Sequence, residues 1–134
     1  MSERHHGSCL CGAVKYQVNG PLRPVVACHC KQCRKTSGHY GAATSAARDD
    51  LRIAGDVKWY SSSDTARRGF CRDCGSAMFW DGGGDRVSIW AGTLDGTTGL
   101  RLRGHIFVAD KGDYYDICDD LPTYPQGDDE MTTK

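Results

Sequence analysis

Seven of the eight cysteines fall into three tight clusters: Cys9-Leu10-Cys11, Cys28-His29-Cys30-Lys31-Gln32-Cys33 and Cys71-Arg72-Asp73-Cys74. Thiols this closely spaced constrain a fold strongly, because each cluster must bend the backbone around a shared point. The clusters supply two, three and two thiols at metal-ligand spacing. A closed tetrahedral site consumes four ligands and leaves three, and three protein ligands with one open position is how catalytic zinc sites are built. The count therefore predicts one closed and one open site. A chain of 134 residues has room for a single domain around both.

Charge and hydropathy exclude several classes. Lys plus Arg equals Asp plus Glu at 17 each, so the net charge is zero, which argues against nucleic acid as the main partner. The one basic pair, Arg67-Arg68, reads as a solvated strand edge. No stretch approaches the roughly 20 apolar residues of a membrane span. The first six residues lack the apolar region of a secretory signal. A cytoplasmic, reducing setting follows as an expectation, and there clustered cysteines are metal ligands rather than disulfides. Residues 1–6 read as a flexible N-terminus and 126–134, polar and unpatterned, as a disordered tail. The domain is expected over 7–125.

Within it the periodicity is that of strands. Val14, Tyr16 and Val18 alternate with Lys15 and Gln17, the mark of a half-buried strand. Further strands are expected at 24–27, 40–45, 78–80, 87–90 and 106–109. Leu51 and Ile53, then 57–60, flank Gly55-Asp56 and predict a hairpin. Helical turns are expected only at 33–38 and around 46–50. Many short strands with 17 glycines predict a mainly β fold, a sandwich or barrel-like sheet of short strands with zinc knuckles and little helix.

The outer pairs, Cys9 with Cys11 and Cys71 with Cys74, each give half a tetrahedron, and each is followed by a glycine that relieves the turn beneath a metal. Together they are expected to close one structural zinc across some sixty residues. Cys28, Cys30 and Cys33 would instead cap one face of a second zinc and leave the other free. Three thiolates make that centre net negative, poorly suited to activating water but able to hold a further thiol as thiolate. Such a site suits a sulfur substrate, forming or cleaving a carbon–sulfur bond. The alternative is a fourth protein ligand from Cys118, His29, His39 or His105, although His29, lying between two ligands, should point away.

These clusters resemble the glutathione-dependent formaldehyde-activating enzyme family, also called the centromere protein V/Gfa domain, with its Mss4-like fold. The matching text is Gly7 to Gly12, Cys28 to Arg34 with Thr36-Ser37-Gly38, and Phe70 to Ser76. Ala91 to Asp95, His105 to Val108 and Asp119 to Pro122 match the family's later signature. The resemblance implies an Mss4-like complex β-sandwich and two zinc ions per chain. One would be structural on Cys9, Cys11, Cys71 and Cys74, the other catalytic on Cys28, Cys30 and Cys33. It implies a carbon–sulfur lyase or synthase, condensing glutathione with formaldehyde to S-hydroxymethylglutathione. The small thiol would be the partner, with neither membrane nor nucleic acid involved. It also allows a non-catalytic zinc-stabilised binding module of the centromere protein V type. Where the family often carries an Ala-Pro-Trp-like stretch, this chain has Lys111 to Tyr115, so Tyr114 would have to cover the pocket.

Among single residues, Arg34 is a candidate to orient a substrate carboxylate or to brace the cluster. His39 is a candidate acid or base. Trp59, Trp80 and Trp90 are expected in the core rather than as a substrate platform. Asp95 and His105 are expected to be structural.

Overall fold

A computed structural model describes residues 3–133. The fold is mainly β, in two sheets. The smaller is antiparallel and joins β1 (His5–Ser8), β2 (Lys15–Val18) and β5 (Leu51–Ala54) in the order β1-β2-β5. The larger contains β3 (Val25–Cys28), β4 (Gly41–Ala47), β6 (Val57–Ser61), β7 (Arg67–Cys71), β8 (Ala77–Asp81), β9 (Arg86–Trp90) and β10 (Leu102–Ile106). Its order is β10-β3-β4-β9-β8-β7-β6, with only the β10–β3 pair parallel. Two short α-helices, α1 (Lys31–Ser37) and α2 (Asp129–Thr133), and 3-10 turns at Arg48–Asp50, Ala91–Thr93 and Val108–Asp110 complete the described chain. No helix among the described residues is long and apolar enough to cross a membrane.

The two faces of the large sheet differ because side chains alternate along a strand. On β4 and β9, Thr44, Ala46, Val87 and Ile89 are buried, and the last three join Val14, Tyr16, Val18, Met78 and Phe79 in the core. Tyr16 of the small sheet meets Phe79 of the large one edge-on, with ring centroids 5.4 Å apart. The intervening residues Gly41, Ala43, Ser45, Arg86, Ser88 and Trp90 face a cavity of about 970 Å³ instead. This face, with small side chains along β4, positions the functional site.

Several expectations are corrected. Residues 51–60 do not form a hairpin: β5 pairs with β2 and β6 makes a five-residue ladder with β7, so the chain changes sheets at Gly55. A turn at Gly55-Asp56 is compatible with a hairpin, but Val57 and Trp59 pack onto the main core, which draws β6 into the large sheet. The late strand lies at Leu102–Ile106 rather than 106–109. Phe107 takes a left-handed backbone (φ 55°) and ends it, and Val108–Asp110 form a 3-10 turn.

Of the ends expected to be flexible or disordered, residues 1, 2 and 134 lie outside the described residues, while His5 and His6 fall in β1 and Asp129–Thr133 form α2. Strand β1 is held because its backbone pairs with β2. Met131 of α2 buries against Val26 and Ile106, while Arg23 donates to the Thr132 carbonyl at 2.7 Å. One apolar residue in a polar stretch gave no periodic signal.

Asp81 closes the β8 end. Buried, it accepts from Arg48 Nη2 at 2.6 Å, Arg67 Nη2 at 3.3 Å and Gly83 N at 2.8 Å. The Arg48 hydrogen bond, with help from Gly83 and Arg67, holds its carboxyl well below the usual range. A carboxyl depressed by folding stabilises above the unfolded pKa, about 3.9, and loses that contribution as pH falls towards the folded value. Asp81→Asn is therefore expected to cost roughly 2 kcal/mol at pH 7. In urea melts the gap from wild type should begin to close only below about pH 4.

Candidate metal centres and the groove beside them

Cys9 and Cys71 sit on matching turns. Cys9 N donates to Val14 O and Cys71 N to Ser76 O, both at 3.0 Å. In each, the glycine after the second cysteine is left-handed, Gly12 at φ 82° and Gly75 at φ 77°, a conformation that glycine adopts without Cβ penalty. The two turns face one another, and the sulfurs of Cys9, Cys11, Cys71 and Cys74 all lie within 4.8 Å of each other. Cys9–Cys11 and Cys11–Cys71 are both 3.7 Å apart. Four sulfurs about 2.3 Å from one zinc would sit about 3.8 Å apart in a tetrahedron, so the donor set fits that ion. Backbone N–H groups point at the sulfurs: Val14 N to Cys9 at 3.2 Å, Asp73 N and Cys74 N to Cys71 at 3.3 and 3.4 Å. Donors so aimed favour thiolates.

Cys28 ends β3, Cys30 caps α1, and Cys33 lies in the first turn of that helix. Cys33 N donates to Cys30 Sγ at 3.3 Å. The three sulfurs lie within 4.8 Å of one another, and no fourth His, Cys, Asp or Glu among the described residues joins them. They share charge unequally. Cys30, hydrogen-bonded by the Cys28 and Cys33 thiols, is held far below the thiol range. Cys28 is pushed far up by those two neighbours and by burial. Ionising all three together needs a cation, which is the chemistry of a metal site.

The four candidate fourth ligands are engaged elsewhere. His29 is buried and runs into a chain of hydrogen bonds. Because Asp119 can only accept, His105 Nε2 donates to it at 2.9 Å, which leaves His105 Nδ1 to accept from His29 Nε2 at 2.8 Å. His29 Nδ1 then accepts from the Tyr115 hydroxyl. Burial and the neighbouring His105 lower the pKa of His29 to about 4, so it is neutral at neutral pH. The chain ties the loop between Cys28 and Cys30 to the segment 115–119. His39 bonds the Tyr114 hydroxyl at 3.0 Å, and Cys118 is exposed with its sulfur near Asp116 O.

All three sulfur residues of the triplet line the 970 Å³ cavity on the groove face. Sequence reasoning misjudged several of its walls. Trp80 and Trp90 line it rather than filling the core, while Trp59 packs on Phe79 as expected. Arg68 is buried rather than solvated. Its guanidinium contacts Gln32 Oε1 at 3.3 Å and Cys33 Sγ at 3.7 Å, and lies 5.8 Å from the Trp90 ring. The strand alternation that separates Arg68 from exposed Arg67 was the available signal. Arg34, His39 and Tyr114 do not line the cavity. Asp95 accepts from Ser8 Oγ at 3.4 Å, outside this site.

The chain is similar to several known proteins. The family model for glutathione-dependent formaldehyde-activating enzymes matches residues 4–110. An uncharacterized lyase of Schizosaccharomyces pombe is 26% identical over 117 residues, 85% of each chain. A Halomonas elongata protein named "putative glutathione-dependent formaldehyde-activating enzyme" is 36% identical over 83 residues, covering 54% of this chain and 53% of its own. A crystal structure of a Rhodobacter sphaeroides protein superposes with a TM-score of 0.57 at 25% identity, covering 72% of this chain and 98% of that one. On the extent of the family match, the chain belongs to the glutathione-dependent formaldehyde-activating enzyme family.

Proposed function

We propose that this chain is a zinc-dependent carbon–sulfur lyase, working in either direction on the adduct of a small thiol and an aldehyde, with glutathione and formaldehyde as the default pair. The observation that carries the reading is the triplet itself: three thiols within 4.8 Å of one another, without a fourth ligand among the described residues, at the wall of a large groove. Cys28, Cys30 and Cys33 would hold one zinc at that wall, and Cys9, Cys11, Cys71 and Cys74 a second that staples the fold. Zinc, when bound, lowers the pKa of a coordinated thiol and so presents sulfur as a thiolate. The protein supplies the rest. The N–H of Cys33 and the guanidinium of Arg68 stabilise negative charge on Cys30 and Cys33. The Tyr115–His29–His105–Asp119 chain fixes the loop that carries two of the three sulfurs. In the net synthesis the thiol sulfur bonds the aldehyde carbon, and the thiol proton ends on the new hydroxyl oxygen.

All eight cysteines are free of disulfides, which suits a reducing compartment such as the cytoplasm. The direct test is to follow ¹³C-formaldehyde with glutathione by NMR, with and without zinc-loaded protein. Formation of S-hydroxymethylglutathione well above the spontaneous rate is expected. An unchanged rate with this pair and with other small thiols would remove the lyase reading.

A further inference from the structure

The groove beside the triplet has a direction. Its floor is β4, where Gly41, Ala43 and Ser45 face the cavity in sequence. A Cβ on Gly41 would lie 3.2 Å from Cys33 Sγ, so this end of the floor touches the thiol site. Ser45 is four residues along, about 13 Å away in an extended strand. At that end Arg86 donates from Nε to Ser45 Oγ at 2.7 Å and from Nη2 to the Ser45 carbonyl at 2.8 Å. Its other terminal nitrogen makes no hydrogen bond within the described chain. Arg23, buried at the same end, donates to the carbonyls of Pro24, Ala43 and Thr132.

No carboxylate among the described residues lies within ion-pair distance of Arg23 or Arg86. Asp85, Asp110, Asp128 and Asp129 also line the cavity without reaching them, and Asp128 is committed to the N–H of Met131 at 2.9 Å. Buried cations are normally paired. Here the buried Arg23 and the half-buried Arg86 share one end of a groove and meet only neutral groups among the described residues. Burial first, then the positive charges of Arg86 and Arg103, push the pKa of Arg23 down to about 10.

We propose that the groove selects a thiol bearing a carboxylate, with its sulfur at Cys28, Cys30 and Cys33 and its carboxylate on Arg86 at the Ser45 end, so that Arg86 determines specificity. This rests on the reading of the triplet as a thiol site. The span agrees: in glutathione the thiol is on the central residue, so about two residue lengths, about 7 Å, separate it from a terminal carboxylate. With a carboxylate–guanidinium contact of about 3 Å the thiol and Arg86 would lie about 10 Å apart, which fits within the roughly 13 Å length of the floor. The narrow side chains of Gly41, Ala43 and Ser45 leave room for the peptide between the two ends.

The test is calorimetric titration of zinc-loaded protein, wild type and Arg86→Gln, with glutathione, glutathione dimethyl ester and 2-mercaptoethanol. Arg86→Gln is expected to weaken glutathione tenfold or more and to leave 2-mercaptoethanol within twofold. Esterification should produce a similar loss in wild type and little further loss in the variant. Arg86→Lys, which keeps the charge, should recover most of the glutathione affinity. The ester comparison in wild type needs no variant to fold. The inference is overturned if wild type binds the ester as tightly as glutathione, or if Arg86→Gln affects both thiols alike. If wild type binds none of the three, the thiol-site reading falls and the inference with it. Binding of 2-mercaptoethanol and glutathione with equal indifference to Arg86 removes the inference alone.

Discussion

Cys71→Ser is expected to abolish cooperative folding rather than merely to lower activity. Cys71 is buried, its sulfur lies 3.7 Å from Cys11, and its turn, shared with Cys74, joins β7 to β8 while Cys9 and Cys11 sit between β1 and β2. A metal held by the four-thiol cluster would therefore bond the small sheet to the large one. A structural zinc contributes about 10–16 kcal/mol in small domains, comparable to the roughly 5–15 kcal/mol of net stability of a whole protein. Losing one ligand, or stripping the metal with a strong chelator, should leave a chain with no sharp thermal transition by circular dichroism. Metal analysis of any soluble Cys71→Ser should find less than one zinc per chain. A native-like melting curve for the metal-free protein would show that the core alone suffices.

Cys30→Ser is expected to separate chemistry from folding. Serine is a good helix cap, and its hydroxyl can replace the sulfur as acceptor from Cys33 N, the hydrogen bond that starts α1. The cap survives while the ligand set drops from three thiolates to two. Folding should change little, by about 1 kcal/mol or less. Zinc content should fall from two to one, and thiol–aldehyde turnover should fall by about a thousandfold or more, as for loss of a group central to catalysis. Stability by urea melt, zinc by elemental analysis and turnover by NMR read the three effects independently. Full activity with one zinc would place the chemistry elsewhere.

The cysteine spacing made the triplet and each outer pair legible because short-range geometry decides them: residues two or three apart on a turn can only converge, whereas the meeting of Cys9 and Cys11 with Cys71 and Cys74 is set by the fold. The same holds for β2, where alternation of Val14, Tyr16 and Val18 carried through to burial. What the sequence concealed was set at long range. Nothing near Gly55 indicates that β5 and β6 join different sheets, since their partners lie tens of residues away. The groove was hidden for a related reason. Trp80, Trp90 and Arg68 belong to strands whose neighbours are fixed only by the sheet order, so which face is core could not be read from any one strand. The Tyr115–His29–His105–Asp119 chain spans 86 positions between its first two members and leaves no local pattern.

The alternation along β4 and β9 has an evolutionary consequence. Thr44, Ala46, Val87 and Ile89 hold the domain together, while Ser45, Arg86, Ser88 and Trp90, interleaved with them, face the groove. Residues that determine foldedness and residues that determine what is held are thus adjacent in sequence yet on opposite sides of one backbone. Mutations can remodel the ligand at little thermodynamic risk, because a changed groove residue leaves the packed layer beneath it intact. A scaffold of this kind can drift between substrates while its four-cysteine cluster and core stay fixed.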